Sequence, residues 1–382
     1  MVKNNIKRKV GILTFHRSLN YGAVLQAFAL KNTLAQLEFG AQVIDYRCKA
    51  IEDEYKLLYV DTSSLFTVSK TLFSNILYLR KNISRKKVFK EFIENNLALT
   101  ESFDRTEIVA GACNDFDILV AGSDQIWNEN LTKGIDKIYM LNFGNEQMRR
   151  IAYAASTGRD TVDSKKGFRE GLKRLDAISV REKNLAEIFG ALTNKPISVV
   201  CDPVFLPEKN FWDKAVETKK SLMEEYIFCY DLEPKKELYD FANYVAEKEG
   251  LKIVYFSRHN RGYKKNISES HYTDGPLDFL SLLTNAKYVI TDSFHGTAFS
   301  VIFRKKFWSF YKNGSNARIK TMLKEVALED RFIEKGKAEI HKQIYSDSIN
   351  YEENDKMVKK YRDKSKEWLV EALKGNKAQN VW

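Results

Sequence analysis

Several short polar segments of this chain follow apolar runs of strand length, and the most distinctive of them contains a histidine. Residues 292–297 (DSFHGT) lie between the apolar run 288–291 and an apolar helical segment. His295 is therefore predicted at a helix N-terminus, where free backbone N–H groups and the helix dipole bind anions, and Gly296 lets a ligand approach the backbone. An imidazole placed between the dipole and a bound anion suits general acid–base catalysis. The alternative is a histidine that caps or packs locally.

Two arginines could add positive charge to such an anion site. Arg181 follows the apolar run 177–180, and its planar guanidinium can bind a phosphate or carboxylate through two parallel hydrogen bonds. Arg318 lies at the start of a predicted helix, residues 316–326. The alternatives are a structural ion pair of Arg181, for example with Glu182, and a solvated Arg318 beside an ordinary helix N-cap.

A third segment has the residue types of a sugar-binding surface. Residues 122–128 (GSDQIWN) follow the apolar run 117–121 and combine a carboxylate, a carboxamide and an indole. Polar side chains of this kind can bind sugar hydroxyls, and an aromatic ring can cover the apolar face of a sugar. The structural alternative is a turn whose tryptophan lies in the core. The residues predicted to bind a saccharide here are Ser123, Asp124, Gln125 and Trp127.

The first predicted strand, residues 9–15, is followed by residues 16–22 (HRSLNYG), which open a helix. A dinucleotide-binding fingerprint requires GxGxxG at this point, and the segment has one glycine, so binding of NAD or FAD is not expected. Asn20 and Tyr21 could still contact a polar acceptor at the helix N-terminus. The alternative is a capped turn in which Asn20 is the N-cap.

These segments have to be positioned by strands that alternate with helices, a pattern that predicts parallel sheets covered by helices on both faces. Ligands bind beyond the carboxyl ends of the strands in such sheets. The alternation stops at a proline-containing stretch, residues 202–220, which resembles a linker, and then restarts. The predicted fold is therefore α/β, with two doubly wound, Rossmann-like domains that face each other across a cleft. The predicted units are residues 1–205 with a helical insertion at about 51–99, residues 206–345, and a C-terminal helix and tail at 346–382.

Length and composition agree with two domains and exclude several functions. The chain has 382 residues, more than a single hydrophobic core usually supports. The four cysteines show no CxxC spacing and the histidines no ligand spacing, so neither a disulfide framework nor a metal site is expected. No apolar run has the length of a signal-peptide core or a membrane span, so a cytoplasmic protein is predicted. The net charge of +11 favours an acidic partner, but no nucleic-acid-binding module is present.

The motifs, in this order, resemble those of the polysaccharide pyruvyl transferase family. The matching segments are residues 11–30 (GILTFHRSLNYGAVLQAFAL), 121–128 (AGSDQIWN), 177–182 (AISVRE), 201–205 (CDPVF), 288–300 (YVITDSFHGTAFS) and 316–323 (NARIKTML). The resemblance implies a GT-B-like fold, the fold of two-domain glycosyltransferases. It also implies an enzyme that transfers the pyruvyl group of phosphoenolpyruvate to two hydroxyls of a sugar, forming a cyclic ketal and releasing phosphate.

The resemblance also implies roles for particular residues. Arg181 and His295 match the arginine and histidine that hold the donor, with the backbone of Phe294–Gly296 beside them and Arg318 as a further donor contact. Our hypothesis makes His295 the general acid and Asp124 a base or orienting group for an acceptor hydroxyl. No metal or redox cofactor is required.

The helical insertion suggests a second kind of partner. Acceptors in such pathways are often lipid-linked saccharides at the cytoplasmic leaflet, and a basic amphipathic helix favours anionic membrane surfaces. The alternative is a helix packed on its domain with a solvated basic face. The basic residues concerned are Arg80, Lys81, Arg85, Lys86, Lys87 and Lys90.

Two other functions are compatible with the predicted fold. A nucleotide-sugar glycosyltransferase would need an acidic ribose-binding residue soon after His295, but the next acidic residue is Glu325. A non-catalytic saccharide-binding subunit is the second alternative, and it would not depend on Arg181 or His295.

Overall fold

The computed structural model describes residues 7–54, 65–219, 224–257, 267–345 and 347–375, with the backbone alone described for Glu54, Ser257 and residues 65–78. The described strands form two parallel sheets. The strands are β1 (Lys9–Leu13), β2 (Gly40–Tyr46), β3 (Leu99–Phe103), β4 (Ile118–Ala121), β5 (Arg149–Ala155), β6 (Ala177–Val180), β7 (Ile197–Val199), β8 (Tyr226–Asp231), β9 (Lys252–Ser257), β10 (Ile267–His271), β11 (Tyr288–Thr291), β12 (Lys306–Phe310) and β13 (Phe332–Ile333).

Helices cover both sheets and open directly after several of the strands. They are α1 (Tyr21–Gln36), α2 (Lys49–Glu54), α3 (Leu65–Asn96), α4 (Arg105–Glu107), α5 (Glu129–Thr132), α6 (Lys165–Lys173), α7 (Lys183–Gly190), α8 (Lys209–Val216), α9 (Lys236–Glu249), α10 (Pro276–Asn285), α11 (Phe294–Ile302), α12 (Ala317–Glu325), α13 (Ala338–His341) and α14 (Tyr351–Lys374). Short π- or 3-10-helical turns lie at Ile108–Ala112, Pro203–Phe205 and Glu329–Arg331.

Both sheets have the strand order of a Rossmann fold. The seven-stranded sheet runs β3-β2-β1-β4-β5-β6-β7, and the six-stranded sheet runs β10-β9-β8-β11-β12-β13. The order therefore reverses between β1 and β4 and between β8 and β11, where Val10 pairs with Ile118 and Tyr288 with Ile227. Ligands of doubly wound sheets bind at such reversal points. The predicted α/β fold with two Rossmann-like domains is confirmed.

The central strands agree with the sequence, and two of the edge strands do not. β4, β6 and β11 are wholly buried apolar runs, as expected where helices cover both faces of a parallel sheet. The edge strands β3 (LTESF) and β10 (ISESH) were not predicted, because their mixed polar composition lacks the apolar signal.

The stretch predicted to be a linker, residues 202–220, is instead a packed part of the molecule where it is described. It contains the 3-10 turn Pro203–Phe205 and helix α8. Trp212 of α8 is fully buried, and its Nε1 donates to the carbonyl of Val204 at 3.0 Å. The prolines mark a tight turn rather than a flexible connection.

The basic insertion packs partly on the protein. The guanidinium of Arg85, on α3, is buried, donates to the carbonyl of Leu19 at 3.0 Å and lies 4.8 Å from the centre of the Tyr272 ring. Lys87 and Lys90 are exposed on the same helix. Contact with an anionic membrane remains a prediction. Within the described residues, no helix is long and apolar enough to cross a membrane.

The C-terminal helix α14 returns to the first domain. Trp368 lies with its ring 6.1 Å from that of Tyr153, and Ser365 accepts a hydrogen bond from the Cys201 backbone N–H at 2.9 Å. One buried apolar cluster contains residues of both sheets and of α14. The two domains and the last helix therefore share a core.

Candidate active site

The motifs identified in the sequence converge at the carboxyl ends of the two sheets. His295 is the second residue of α11, as predicted, and follows the N-cap Ser293, whose Oγ accepts a hydrogen bond from the Gly296 N–H at 3.3 Å. The segment after β11 therefore places the imidazole at the positive end of a helix dipole. The residue is 7% exposed, so the imidazole is buried.

His295 touches the first domain at a glycine. A Cβ built on Gly22, near the start of α1, would lie only 1.9 Å from Nδ1 of His295. The imidazole thus packs directly against the backbone at the N-terminus of a second helix, and only glycine leaves room for it. Its Nε2 lies 3.5 Å from Oδ2 of Asp202, within ion-pair distance but without a hydrogen-bond partner.

Asp202 is the centre of the site. It lies in the turn after β7, and its Oδ2 accepts a hydrogen bond from Nη1 of Arg181 at 2.6 Å and lies 3.1 Å from Oγ of Ser123. Burial disfavours its ionised form, but the charges of His295 and Arg181 outweigh burial and lower the pKa of Asp202 below its ordinary value. The site therefore contains a buried, ionised carboxylate that faces the histidine.

Arg181 is fully enclosed and has unused donors. Besides Asp202, it faces Asp124, with Nη2 at 3.5 Å from Oδ1, a distance beyond a strong hydrogen bond. Nε and Nη2 are buried without a hydrogen-bond partner. Burial opposes the charge of Arg181, yet Asp202, Asp124 and Glu182 together raise its pKa. Unsatisfied donors on a buried cation are expensive, and an acceptor on a ligand would satisfy them.

A second arginine lies close to the same aromatic ring as the first. The Cζ atoms of Arg181 and Arg318 lie 5.1 and 5.8 Å from the ring centre of Phe294. Burial and the charge of Arg181 lower the pKa of Arg318, and in the part of the chain that the structure describes Arg318 has no ion-pair partner within 4.0 Å. Burial and Arg318 likewise lower the pKa of Lys312. Such neighbouring cations favour a bound anion.

Glu182 is a buried acid between these arginines. Its Oε1 accepts a hydrogen bond from Oγ of Ser156, whereas its Oε2 is buried without a partner. Burial raises the pKa of Glu182, although Arg181 and Arg318 oppose this shift. Among the described residues Arg181 forms its ion pairs with Asp202 and Asp124 and none with Glu182, so the structural alternative considered for Arg181 is met by Asp202.

Asp124 and Ser123 belong to the same cluster. Asp124 is buried and adopts the left-handed region with φ +75°, which is uncommon outside glycine and found at functional sites. The Oγ of Ser123 lies 3.0 Å from the carbonyl oxygen of Ala154 as well as near Asp202. Ser123 therefore contacts the carboxylate of Asp202, and its hydroxyl proton is shared between that carboxylate and a backbone carbonyl.

The other residues predicted to bind the acceptor are held by local contacts. Asn20 is the N-cap of α1, and Tyr21 stacks on Phe279 with ring centres 5.0 Å apart. Trp127 is buried, and its Nε1 donates to the Tyr139 carbonyl at 3.1 Å. Asn20 and Trp127 thus adopt the structural alternatives considered for them, an N-cap and a core tryptophan, and Tyr21 is packed against the second domain. Gln125 is partly buried, and its Oε1 accepts from Nδ2 of Asn128 at 2.9 Å.

Sequence reasoning missed Asp202 and Lys312 and treated Glu182 only as a counter-ion. A signal for Asp202 was present, because it directly follows the apolar run 197–201 (ISVVC), as Arg181 follows the run 177–180. The adjacent proline directed the interpretation towards a linker instead. Lys312 carries no such signal, since it is the fold that brings it near Arg318.

The fold and the site together define a two-domain, GT-B-like α/β protein with a cationic site between its domains. The family model for polysaccharide pyruvyl transferases matches residues 20–313, more than half of the chain. The chain belongs to the polysaccharide pyruvyl transferase family.

Solved structures agree with this fold. A UDP-N-acetylglucosamine 2-epimerase from Neisseria meningitidis, bound to UDP-GlcNAc, is similar at 10% identity and TM-score 0.53, over 97% of this chain and 100% of that chain. A protein assigned as a UDP-N-acetylglucosamine 2-epimerase from Listeria monocytogenes is similar at 11% identity and TM-score 0.50, over 98% and 99% of the two chains. At these identities the likeness shows the fold alone. Comparison with curated protein sequences finds no match.

Proposed function

We propose that this member of a polysaccharide-modifying transferase family transfers the pyruvyl group of phosphoenolpyruvate to two hydroxyls of a saccharide, forming a cyclic ketal and releasing phosphate. The acceptor is a precursor of a cell-surface polysaccharide, with a lipid-linked saccharide at the cytoplasmic face of the membrane as the first candidate. The observation that carries the proposal is the buried cluster of Arg181, Arg318 and His295 around Phe294, in which a guanidinium has unused donors.

The donor matches the charge of this cluster. Phosphoenolpyruvate carries a phosphate and a carboxylate on a three-carbon frame, so it needs several fixed cations or dipoles close together. Arg181 and Arg318 supply two guanidiniums near the ring of Phe294, and the N-terminus of α11 supplies backbone donors. Binding would satisfy the free Nε and Nη2 of Arg181 and reduce the repulsion between the arginines.

The reaction needs a proton donor near the enol. One acceptor hydroxyl adds to C2 of phosphoenolpyruvate while the C3 methylene takes a proton and becomes a methyl group. The second hydroxyl then displaces phosphate from C2, and its proton leaves with the phosphate or with a base. His295 is assigned as the acid that protonates C3, since its imidazole is buried in this cluster with Nε2 3.5 Å from the carboxylate of Asp202.

Asp124 is assigned to the acceptor side. Its carboxylate lies at the carboxyl end of β4 and faces Arg181 at 3.5 Å, which leaves oxygen lone pairs for a hydroxyl. The positive φ of Asp124 holds the side chain in this position. In this role it orients the attacking hydroxyl and accepts its proton.

Calorimetric titration with phosphoenolpyruvate tests the donor site. We expect saturable binding to the wild type, weakened by at least about tenfold, or about 1.4 kcal/mol, in Arg181→Lys and in His295→Gln. Arg181→Lys retains the charge but removes the planar guanidinium and its parallel N–H donors. Arg47→Gln is the matched control, because Arg47 is an exposed arginine of the same domain. The wild type binding uridine or guanosine diphosphate but not phosphoenolpyruvate would contradict the proposal and favour a glycosyltransferase. Unchanged binding in both site variants would show that the anion site lies elsewhere.

A further inference from the structure

A second pocket lies in the first domain, at the carboxyl ends of β1 and β2. Its volume is about 390 Å³, within the range of small-ligand sites. The loop after β1, the end of β2 and the helices α2 and α3 enclose it, with the start of β3 at one side. Polar and apolar side chains both line it, among them His16, Arg17, Asp45, Glu52, Lys86 and Ile93.

One wall of the pocket is a rigid, neutralised cluster. Nε2 of His16 lies 2.8 Å from Oδ1 of Asp45, and Nδ1 lies 3.1 Å from the carbonyl oxygen of Thr14. Arg17 binds both oxygens of Asp45, through Nε at 2.5 Å and Nη2 at 2.7 Å. Burial disfavours the charge of Asp45, but the hydrogen bonds from His16 and Arg17 lower its pKa. This wall needs no ligand to be stable.

Lys86, which also lines the pocket, has no carboxylate in the described part of the chain to neutralise its charge. Arg17 also pairs with Glu52 at 3.2 Å, and Lys90 pairs with Glu94 at 3.6 Å, so these lining acids are already engaged. Lys86 is half-buried, and among the described residues no carboxylate lies within 4.0 Å of its Nζ. Burial lowers the pKa of Lys86, with only Glu52 opposing the shift. An unpaired, partly desolvated cation in a pocket favours an anionic ligand.

The rest of the lining suits a sugar attached to that anion. Leu19 and Leu99 are half-buried at the pocket, and Ile93 is buried beside them. Apolar lining with a few fixed polar groups is typical of pockets for small organic ligands. A free inorganic anion would not use this apolar surface, whereas a pyranose carrying a phosphate or carboxylate would.

The pocket is adjacent to the proposed donor site. Leu19 lines the pocket, and Gly22, three residues further along, contacts His295. Three Cα steps span at most about 11 Å, so one loop separates the two sites. An acceptor of a few sugar units can place one unit near His295 and another in the pocket.

We infer that this pocket binds an anionic group on the saccharide acceptor, a sugar phosphate or a uronate carboxylate, through Lys86. The inference rests on the proposed function for its connection to the acceptor. The evidence for the binding site itself is the unpaired Lys86 and the pocket around it. The ketal would then form on a different sugar unit of the same acceptor.

Calorimetric titration of the protein saturated with phosphoenolpyruvate tests this inference. The probes are glucose 1-phosphate and glucuronic acid, with glucose as the uncharged comparison, so that phosphate and carboxylate are distinguished. We expect one or both anionic probes to bind more tightly than glucose. Lys86→Gln should weaken that binding by at least about tenfold, or about 1.4 kcal/mol. Lys86→Arg should retain it.

Lys87→Gln is the matched control, because Lys87 is exposed on the same helix and pairs with Glu91 at 3.8 Å. Equal binding by Lys86→Gln and Lys87→Gln would overturn the inference, as would a lack of binding by both anionic probes. Displacement of a probe by phosphoenolpyruvate would also overturn it, since the probe would then occupy the donor site. The wild type could bind a probe through Lys86 and fail to bind phosphoenolpyruvate. This result would contradict the proposed function but would support the anion site at Lys86.

Discussion

Asp202 connects the residues of the candidate site. It accepts from Arg181 at 2.6 Å, faces His295 at 3.5 Å and lies 3.1 Å from Oγ of Ser123. Its second oxygen accepts from the Val204 N–H at 3.1 Å, which fixes the turn after β7. One carboxylate thus holds Arg181 through a hydrogen bond and faces the imidazole of His295 at ion-pair distance, without a hydrogen bond to it.

The lowered pKa of Asp202 makes stability depend on pH. A carboxyl group whose folded pKa lies below the ordinary value of about 4 stabilises the fold above that pH, and this contribution is lost as the pH falls towards the folded pKa. We expect Asp202→Asn to lower the free energy of unfolding at pH 7 by about 3 kcal/mol, since it leaves a buried guanidinium without its counter-ion. The loss should shrink as the pH is lowered below about 4.

Urea unfolding of the wild type and Asp202→Asn at pH 7 and at lower pH measures both effects. Asp163→Asn is the control, because Asp163 also pairs with an arginine but its side chain is 61% exposed, and little change is expected. A difference between wild type and Asp202→Asn that does not depend on pH would show that the Asp202 carboxylate is not selectively stabilised in its ionised form.

The sequence predicts the position of a site residue where its neighbours in the chain determine that position, and it does not predict contacts between residues that are far apart in the chain. His295 is at a helix start and Arg181 at a strand end, and both positions follow from apolar patterns within about ten residues. The partnership of Asp202 with His295 joins residues from two domains, and no local pattern encodes it. Trp127 was assigned to a sugar because its position was predictable, but its burial against Phe189 follows from packing between elements.

At the scale of elements, the site is formed where the N-termini of α1 and α11 meet. Each helix follows a strand at a reversal of strand order, α11 almost directly and α1 after a loop, and each has a side-chain N-cap, Asn20 and Ser293 respectively. The backbone of Gly22 on α1 is in contact with the imidazole of His295 on α11. The position of the proposed acid therefore depends on a helix of the other domain.

Gly22→Ala tests this contact. Alanine favours a helix over glycine by about 1 kcal/mol, but the new Cβ would overlap the ring of His295 and force the imidazole to move. Because small displacements of catalytic groups are costly, we expect turnover to fall on the order of 100-fold. Phosphate release from phosphoenolpyruvate in the presence of an acceptor measures it. Gly190→Ala, at the end of α7 where a Cβ would meet nothing within 4 Å, should keep full activity. Equal activity of the two variants would contradict the assignment of His295 as the general acid.

The sequence predicts elements best where they are buried on both sides. Tyr288–Thr291 and Ala177–Val180 were placed to the residue, because a continuous apolar run between polar segments has clear ends. The strands Leu99–Phe103 and Ile267–His271 lie at the sheet edges, where exposure permits polar residues and weakens the pattern. Arg181 and His295 could be placed from the sequence because they follow central strands, whereas Asp202, which follows the edge strand β7, was missed.

Contacts of helix α1 with the second domain, next to the site, hold the two halves of the molecule together. Tyr21 of α1 stacks on Phe279 and contacts the ring of Phe256 at 4.9 Å, and its hydroxyl donates to the carbonyl of Asp274 at 3.1 Å. These partners belong to the second domain, so the first helix of the chain is inserted into the core of the other half. Composition and periodicity predicted two domains, but they could not show that the domains share one core.

A shared core predicts that both domains unfold together. Trp368 of α14 is 2% exposed, belongs to this core and packs near Tyr153 of the first domain. Trp368→Ala should therefore lower the free energy of unfolding by about 3–5 kcal/mol, the usual cost of a large buried aromatic. Glu367→Ala, one residue away and exposed, should have little effect.

Differential scanning calorimetry with phosphoenolpyruvate present and absent distinguishes one transition from two. We expect a single transition that Trp368→Ala shifts as a whole and that phosphoenolpyruvate raises, since the ligand binds only the folded site. If Trp368→Ala instead lowered one transition and left a second one unchanged, the domains would unfold independently. The contact of Gly22 with His295 would then be a docking contact between separate units, and its geometry would depend on how far the cleft is closed.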